Sequence, residues 1–345
     1  MDGAEHYVHV LYYIIADDDT GRIVMDAVLR AAKRGVRCRV LYDALGSRRY
    51  LGTLVKELKA AGVDVCPALP LKLFGEERRR PDLRNHRKIV VVDGKIGYTG
   101  SQNLVDPVYK PGVVYEELVA RVQGPVAGQL DAVFLSDLYS ETNVRAPQEE
   151  TPNGTLAPER CGDAPCQVLP SGPAFDTDNI AVLFTTLLYH AERRAVLITP
   201  YFIPSESLLR ALQNAALRGV EVHLIVSEQG DQFLVSRAQR SYYEEMLAAG
   251  VKIHAVHPPT FIHAKHLSID DDIAVIGSSN FDVRSFQLNL EIVLLVYSAD
   301  VVKKQRQIEE SYLARADEIM LDAWLLRPRF QQFVENSCRL VSALL

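Results

Sequence analysis

The chain has few cysteines and lacks any long apolar run. Only five of its 345 residues are cysteine, and the spacing of Cys161 and Cys166, the two closest in sequence, fits no common zinc site. We therefore expect free thiols in a reducing cytoplasm. A membrane-spanning helix needs a run of roughly 18 or more apolar residues, and the sequence contains none. The first residues also lack the basic start and apolar core of a signal peptide.

An excess of positive charge is missing as well. The net charge is −6 and the pI is near 5.9, whereas a dedicated nucleic-acid binder usually carries a basic footprint. We therefore expect no nucleic-acid partner. With 48% hydrophobic and 24% charged residues, the composition is that of an ordinary globular protein. The length suffices for two or three average domains or for one large duplicated one.

A polar stretch that occurs twice is the most informative part of the sequence. In each copy a His is followed by Lys after two residues, Asp after seven, Gly after fourteen, Ser after fifteen and Asn after seventeen. Six positions in one shared register indicate an internal duplication. The first copy consists of His86, Lys88, Asp93, Gly100, Ser101 and Asn103, and the second of His263, Lys265, Asp270, Gly277, Ser278 and Asn280.

The patterns of strands and helices also repeat in the same order before each stretch. Such alternation predicts an α/β protein, here with two lobes related by a pseudo-twofold axis, each a mixed β-sheet flanked by helices, around one shared active site. We predict the first lobe at 1–145 and the second at 174–345. Residues 146–173 are rich in Pro, Gly, Glu, Thr and Asn, which favours an exposed linker.

The repeated His and Lys predict phosphodiester chemistry. Two residues apart on a strand, they project from the same face, so that a pair from each half can meet at one site. One neutral imidazole can attack phosphorus while a protonated one donates to the leaving alkoxide. Oxygens of the phosphate would be neutralised by the lysines and by the side chains of Ser101, Asn103, Ser278 and Asn280. This chemistry needs no metal or cofactor, and we expect none.

Four carboxylates complete the set of candidate catalytic residues. Asp93 and Asp270 stand at predicted strand ends before turns, where a structural role is the favoured interpretation and direct involvement the alternative. Glu117 and Glu291 lie in apolar, strand-like runs, where a carboxylate is costly unless it is paired. A bond to a catalytic His would pair each of them and orient the imidazole. Glu116 is the neighbour that could take the place of Glu117.

These motifs resemble the phospholipase D superfamily, which carries the doubled HxKxxxxD pattern followed by GSxN. Four further stretches resemble its bacterial cardiolipin synthase branch, and the likeness covers nearly the whole chain. They are Leu83–Lys88, Thr199–Pro204, Gly277–Glu291 and Arg339–Leu345.

The resemblance implies a phosphatidyltransferase that works through a covalent phosphatidyl-histidine. In that branch one phosphatidylglycerol supplies the phosphatidyl group and a second accepts it, giving cardiolipin and glycerol. By family analogy His86 is the nucleophile and His263 the acid and base, although pseudo-symmetry leaves the two roles interchangeable from sequence alone. The alternatives are a hydrolase or nuclease with the same site, and an inactive lipid-binding scaffold, which the intact motifs disfavour.

Partners and location follow from the same resemblance. We expect anionic phospholipid, a peripheral membrane contact, and a bacterial-type cytoplasm at the inner face of the cell membrane. Members of the branch usually carry N-terminal membrane helices, so this chain is expected to be either a fragment or a form that meets the bilayer peripherally. Candidate contacts are the basic residues Arg78, Arg79, Arg80, Arg84 and Arg87, for which a solvated loop is the alternative, and the apolar Leu69–Leu71 and Phe74 beside them. The helical stretch 308–345 is expected to pack on the second lobe, and a peripheral membrane contact is its alternative.

Overall fold

The computed structural model describes residues 1–71, 80–147, 150 and 159–340. Strands and helices alternate in its first half as predicted. They are β1 (Tyr7–Tyr12), α1 (Asp19–Lys33), β2 (Arg37–Asp43), α2 (Leu54–Ala60), β3 (Asp64–Ala68), β4 (Ile89–Val92), β5 (Ile96–Gly100), β6 (Val114–Glu116), β7 (Val119–Gln123) and α3 (Pro125–Thr142).

The second half contains the remaining elements. They are β8 (Cys166–Ser171), α4 (Asn179–His190), β9 (Arg194–Ile198), β10 (Phe202–Ile203), α5 (Glu206–Leu217), β11 (Glu221–Ser227), α6 (Phe233–Arg240), α7 (Tyr243–Ala248), β12 (Lys252–Val256), β13 (Thr260–Ile262), β14 (His266–Ile269), β15 (Ile273–Gly277), β16 (Phe281–Asp282), α8 (Val283–Gln287), β17 (Glu291–Tyr297), α9 (Ala299–Leu313), β18 (Ala316–Glu318), α10 (Leu321–Leu325) and α11 (Arg329–Leu340).

The two halves share one sheet topology. The first sheet has the order β3-β2-β1-β4-β5-β7, and the second contains the matching order β12-β11-β9-β14-β15-β17, with β18 and β8 added at its edges. In both sheets the first three strands are parallel and the others antiparallel. The predicted duplicated α/β fold with mixed sheets is therefore confirmed.

Several helices begin at a residue whose side chain caps the first turn. The carboxylate of Asp18 accepts the N–H of Gly21 at 2.9 Å before α1, and Ser205 accepts the N–H of Leu208 at 3.4 Å before α5. A cap of this kind satisfies one of the free N–H groups of a first turn. In α1 the residues Met25 and Val28 then face the core. Residues 233–248 form two short helices, α6 and α7, separated by a turn.

The predicted linker ends earlier than its composition indicated. Residues 166–171 are not part of it, because they form β8, which pairs antiparallel with β17 at the edge of the second sheet. Pro170 lies in this strand, and proline is tolerated at an edge, where its missing N–H is not needed. The prolines and glycines on either side concealed the strand.

Backbone pairing joins the halves near the centre of the molecule. β13 of the second half runs parallel to β6 of the first, and Asn85 forms an isolated bridge with Leu290. The cores interlock in the same way, since Ile292 packs with Tyr7 and other core residues of the first half. In the described part of the chain, no helix combines the length and apolarity that crossing a bilayer requires.

Candidate active site

Both motif histidines line one cavity between the halves. His86 and His263 lie a few residues before β4 and β14, the strands that occupy equivalent central positions in the two sheets. The cavity has a volume of about 610 Å³. The structure thus brings the two copies of the motif to a single site, as the repeat predicts.

Each histidine is bonded to a glutamate of the opposite half. His86 Nδ1 lies 2.9 Å from Oε1 of Glu291, and His263 Nδ1 lies 2.7 Å from Oε1 of Glu117. An ionised carboxylate only accepts hydrogen bonds, so each Nδ1 carries the proton. Nε2 is then the nitrogen with a free lone pair, ready to attack or to take up a proton.

Each histidine meets the glutamate of the opposite half because the backbones of the two halves pair next to both residues. The N–H of His86 donates to the carbonyl of Leu290 at 2.9 Å, and the N–H of His263 donates to the carbonyl of Glu116 at 2.8 Å. In both cases the acceptor immediately precedes the glutamate in question. The side chain of Glu116 points elsewhere, to Arg315 at 2.7 Å. Glu117, and not Glu116, is therefore the carboxylate at the site.

The two motif lysines are fully enclosed. Lys88 Nζ donates to the carbonyl of His86 at 2.7 Å, and Lys265 Nζ donates to that of His263 at 2.6 Å. Burial lowers the pKa of Lys88 to about 7 and that of Lys265 to about 8, in spite of the nearby glutamates. A buried ammonium group gains from an anion beside it, so a bound phosphate would favour the charged form of both.

Burial and pairing set the charge of the histidines and glutamates. Burial, helped by Lys88, lowers the pKa of His86 to about 4, and burial also lowers the pKa of His263. Burial alone would raise the pKa of Glu117, but His263 and Lys265 bring it down to about 2. The pKa of Glu291 is lowered against burial as well, chiefly by His86. Without a bound phosphate, the site therefore favours neutral imidazoles beside ionised carboxylates near neutral pH.

The motif serines do not lie free to bind phosphate, which corrects their predicted role. Ser101 Oγ donates to Oε2 of Glu117 at 2.5 Å and accepts the N–H of Leu118. Ser278 Oγ donates to Oε2 of Glu291 and accepts the N–H of Ile292 at 3.0 Å. Both hydroxyls are fully buried. They hold the glutamates in place, so their action on the histidines is indirect.

The motif aspartates lie outside the site, which removes them from the candidate catalytic residues. Asp93 accepts the N–H groups of Glu5, His6 and Tyr7 at 2.8–2.9 Å. Asp270 accepts those of residues 192–194 at 2.8–3.1 Å. Burial opposes the ionisation of Asp270, yet these N–H groups hold its pKa below the usual value. Asp93 therefore joins the start of β1 to the end of β4, and Asp270 joins the start of β9 to the end of β14.

Asn103 and Asn280 line the cavity, as expected of groups that contact a phosphate. Asn103 Oδ1 accepts the N–H of Ile14 at 3.3 Å, which leaves its amide nitrogen as a donor. The guanidinium groups of Arg49, Arg84 and Arg284 also line the cavity. These positive groups suit an anionic substrate.

Two groups of the site were missed from sequence. Asn289 Nδ2 donates to Oε1 of Glu291 at 3.2 Å, so it helps to orient the partner of His86. Asp231 accepts the hydroxyls of Tyr115 at 2.7 Å and of Tyr201 at 2.8 Å, and Tyr201 lines the cavity. Neither belongs to the repeated motif, and the sequence carried no signal for them beyond the polar character of Asn289 next to an apolar strand.

Two arginines of the basic run that was predicted to bind lipid are not exposed. Arg84 is buried with Asp43 at 3.1 Å, and Arg87 is buried with Asp137. Arg80 is exposed and pairs with Asp82. Arg78, Arg79 and Phe74 lie outside the described residues.

Among the residues that the structure does describe, no group of three or more His, Cys, Asp or Glu side chains could hold a metal ion.

Solved structures with the same fold come from several enzymes. The phosphatidylserine synthase of Haemophilus influenzae Rd KW20 superposes with a TM-score of 0.73 at 14% identity, over 100% of this chain and 91% of that one. The polyphosphate kinase of Porphyromonas gingivalis reaches a TM-score of 0.61 at 12% identity, over 93% of this chain and 45% of that one. At such identities the likeness concerns the fold alone.

Sequence comparison defines the family. The model described as "Cardiolipin synthase, PLD-like domain" matches residues 1–138 and 184–312. Cardiolipin synthase A of Proteus mirabilis (strain HI4320) is 35% identical over 100% of this chain and 72% of the relative. That of Pectobacterium atrosepticum is 36% identical over 99% of this chain and 71% of the relative. The chain belongs to the cardiolipin synthase family of phospholipase D-like proteins.

Proposed function

We propose that this protein is a phosphatidyltransferase that makes cardiolipin from two molecules of phosphatidylglycerol. The observation that carries the proposal is the pair of histidines at one cavity, each held by a glutamate of the opposite half. Its similarity to cardiolipin synthases, which spans nearly all of this chain, supports the substrate class. Phosphatidylglycerol is the anionic lipid that the basic cavity would receive.

Transfer would take place in two steps. Binding of the anionic phosphate favours a second proton, on Nε2 of His263, whose imidazolium Glu117 stabilises. In the first step, Nε2 of His86 attacks phosphorus, the bond to the headgroup glycerol breaks, and His263 gives that oxygen its Nε2 proton. Glycerol leaves and a phosphatidyl-histidine remains. In the second, His263 takes the proton from a glycerol hydroxyl of the other phosphatidylglycerol, whose oxygen attacks phosphorus and releases His86. One imidazole thus acts as nucleophile and the other first as acid and then as base.

The remaining side chains would stabilise the charge that develops on phosphorus. Lys88 and Lys265 are buried beside the histidines, and a bound phosphate would favour their charged form. Asn103 and Asn280 would donate to its oxygens. Because the substrate is a membrane lipid, we also propose a peripheral contact with the bilayer at the inner face of a bacterial cell membrane.

The test is to incubate the protein with phosphatidylglycerol vesicles and follow lipids and headgroup products by mass spectrometry. We expect cardiolipin and glycerol in equal amounts. Phosphatidic acid with glycerol would mean that water is the acceptor and that the protein is a hydrolase. A Lys88→Met/Lys265→Met variant serves as the inactive control, and product formation by that variant would overturn the proposed site.

A further inference from the structure

The two copies of the motif differ at one position that lines the cavity. Asp282 follows Asn280 by two residues, whereas Val105 stands at the equivalent place after Asn103. Both side chains are more than nine-tenths buried. The scaffold that the halves share does not require a carboxylate here, because an apolar side chain fills the position in the first half. Asp282 is therefore a candidate for a role that only one half performs.

Asp282 is the one carboxylate among the described residues that line the cavity. Burial lowers the pKa of the catalytic Lys265, and Asp282 is among the carboxylates that oppose this shift, which indicates that the two side chains lie near each other. A carboxylate repels phosphate, so Asp282 suits another part of the substrate. Four cationic side chains remain for the phosphates, and they are Arg49, Arg84, Lys110 and Arg284.

Asp282 also caps α8, but the cap does not use the whole carboxylate. Its Oδ1 accepts the N–H of Ser285 at 2.6 Å. An ionised carboxylate offers about four lone-pair sites, so it can accept further hydrogen bonds. Capping does not require Asp either, since Ser205 caps α5 and Ser298 caps α9. The carboxylate at position 282 is thus not explained by the cap alone.

Two further acceptors in the cavity wall lack a hydrogen-bond donor. Asn289 Nδ2 donates to Oε1 of Glu291 at 3.2 Å, which leaves Oδ1 as the free atom of this amide. Asn289 is 6% exposed, and neither its Oδ1 nor that of Asn280 has a partner in the described part of the chain. A buried acceptor without a donor is costly. These groups would therefore gain from a ligand that brings hydroxyl donors.

We propose that Asp282 and Asn289 select an alcohol that carries a second hydroxyl beside the one that reacts. This inference rests on the proposed function for the identity of that alcohol, a glycerol headgroup. The glycerol that leaves and the glycerol that attacks occupy the same position, because both react in line with Nε2 of His86. The spare hydroxyl donates to the two acceptors. An ammonium group, which a carboxylate could also bind, is repelled by the four cations of the cavity.

The experiment is a competition between alcohols for one donor. A short-chain phosphatidyl ester of p-nitrophenol, dissolved below its micelle concentration, is offered with equal concentrations of 1-propanol, 1,2-propanediol and ethanolamine, and mass spectrometry measures the lipid products. We expect the wild type to prefer 1,2-propanediol over 1-propanol by about tenfold or more. Asp282→Ser, which keeps a capping side chain, should lower this ratio about tenfold. Asp282→Asn, which keeps one acceptor oxygen, should give an intermediate ratio.

A second capping aspartate provides the matched control. Asp18 caps α1 through the N–H of Gly21 and is not among the described residues that line the cavity, so Asp18→Ser should keep the wild-type ratio. A wild-type ratio in Asp282→Ser, or a wild type that favours 1-propanol or ethanolamine, would overturn the proposal. If Asp282→Ser does not fold, Asp282→Asn decides: a lowered ratio supports the proposal and an unchanged one contradicts it.

The selection of the alcohol and the proposed function can fail separately. If the wild type makes cardiolipin from phosphatidylglycerol while Asp282→Ser keeps the preference for the diol, the proposed function stands and this inference is wrong. If the wild type makes only phosphatidic acid from phosphatidylglycerol, yet transfers to 1,2-propanediol in preference to 1-propanol and loses that preference in Asp282→Ser, the inference stands and the proposed function fails.

Discussion

The Glu291 carboxylate, which holds His86, has a completely buried side chain, whereas that of Glu117, which holds His263, is 16% exposed. Glu291 accepts from Ser278 and Asn289 in addition to the histidine, and Glu117 accepts from Ser101. The two half-sites thus share a motif and a topology, yet their surroundings differ.

This difference supports distinct roles for the two histidines. Besides its histidine, Glu291 accepts from two side chains and Glu117 from one. The charge of Glu117 is therefore less shared and can better stabilise an imidazolium, which an acid and base must form. His86 has a pKa of about 4 and stays neutral, as a nucleophile must. The two copies of a duplicated motif can therefore take different catalytic roles, one as nucleophile and the other as acid and base.

The largest predicted effects come from replacing the two histidines, and they distinguish the nucleophile from the acid and base. In a phosphatidyl ester of p-nitrophenol the leaving group departs without needing a proton, so the first step requires only the nucleophile. We expect His263→Asn to release one equivalent of p-nitrophenol in a burst and then stall, and His86→Asn to show no burst. Both variants should lose about 10⁴-fold or more of their turnover with phosphatidylglycerol. A burst from His86→Asn and none from His263→Asn would reverse the assignment.

The crossed glutamates give the next largest effect. Glu291→Gln should slow the p-nitrophenol burst by about 10²–10⁴-fold, because the amide misorients His86 and favours the wrong tautomer. Glu117→Gln should leave the burst nearly intact and slow turnover with phosphatidylglycerol by a similar factor. Rapid-mixing absorbance measures the burst and mass spectrometry the turnover. Equal effects of the two variants on the burst would show that the half-sites do not differ in role.

The lysines predict how activity depends on pH. Their pKa values, about 7 for Lys88 and about 8 for Lys265, are depressed, so each loses its positive charge as the pH rises through its own value. Measured on dissolved short-chain phosphatidylglycerol, kcat/KM should therefore fall above about pH 7 and more steeply above about pH 8. It should also fall toward pH 4, where His86 becomes protonated. A constant kcat/KM between pH 6 and about 10 would contradict the role of the lysines.

The smallest effect on activity concerns the aspartates. Asp93→Asn and Asp270→Asn should each lower the free energy of unfolding by about 1–3 kcal/mol, because an amide satisfies the three backbone N–H groups less well. Turnover at a temperature below unfolding should change by less than about twofold. Denaturant titration and a steady-state assay measure the two quantities. A large loss of turnover in a fully folded variant would restore a catalytic role for that aspartate.

The sequence allowed prediction of the fold wherever the pattern was local. The alternation of strands and helices that repeats before each copy of the motif is confirmed by the matching sheet orders. The strand at 166–171 was missed because its order depends on pairing with β17, far along the chain. The division of residues 233–248 into two helices likewise depends on tertiary packing and on a turn that periodicity did not reveal.

The candidate site was predictable in its members but not in its connections. The buried context of Glu117 and Glu291 pointed to histidine partners, yet nothing in the sequence shows that each glutamate serves the histidine of the other half. That depends on the pairing of β6 with β13 and of Asn85 with Leu290. The serines were misassigned because a hydroxyl beside a predicted phosphate site looks the same in sequence whether it faces the substrate or a carboxylate.

Because each half supplies the glutamate that orients the histidine of the other, activity requires both halves to be folded and in place. A molecule in which one half is misfolded or displaced does not retain half of its activity, because the intact histidine loses the carboxylate that orients it. The enzyme is therefore either complete or silent, and a damaged copy cannot attack lipid with a single unrestrained imidazole. For an enzyme that acts on the phosphodiesters of membrane lipids, this arrangement prevents incompletely folded molecules from cleaving lipid.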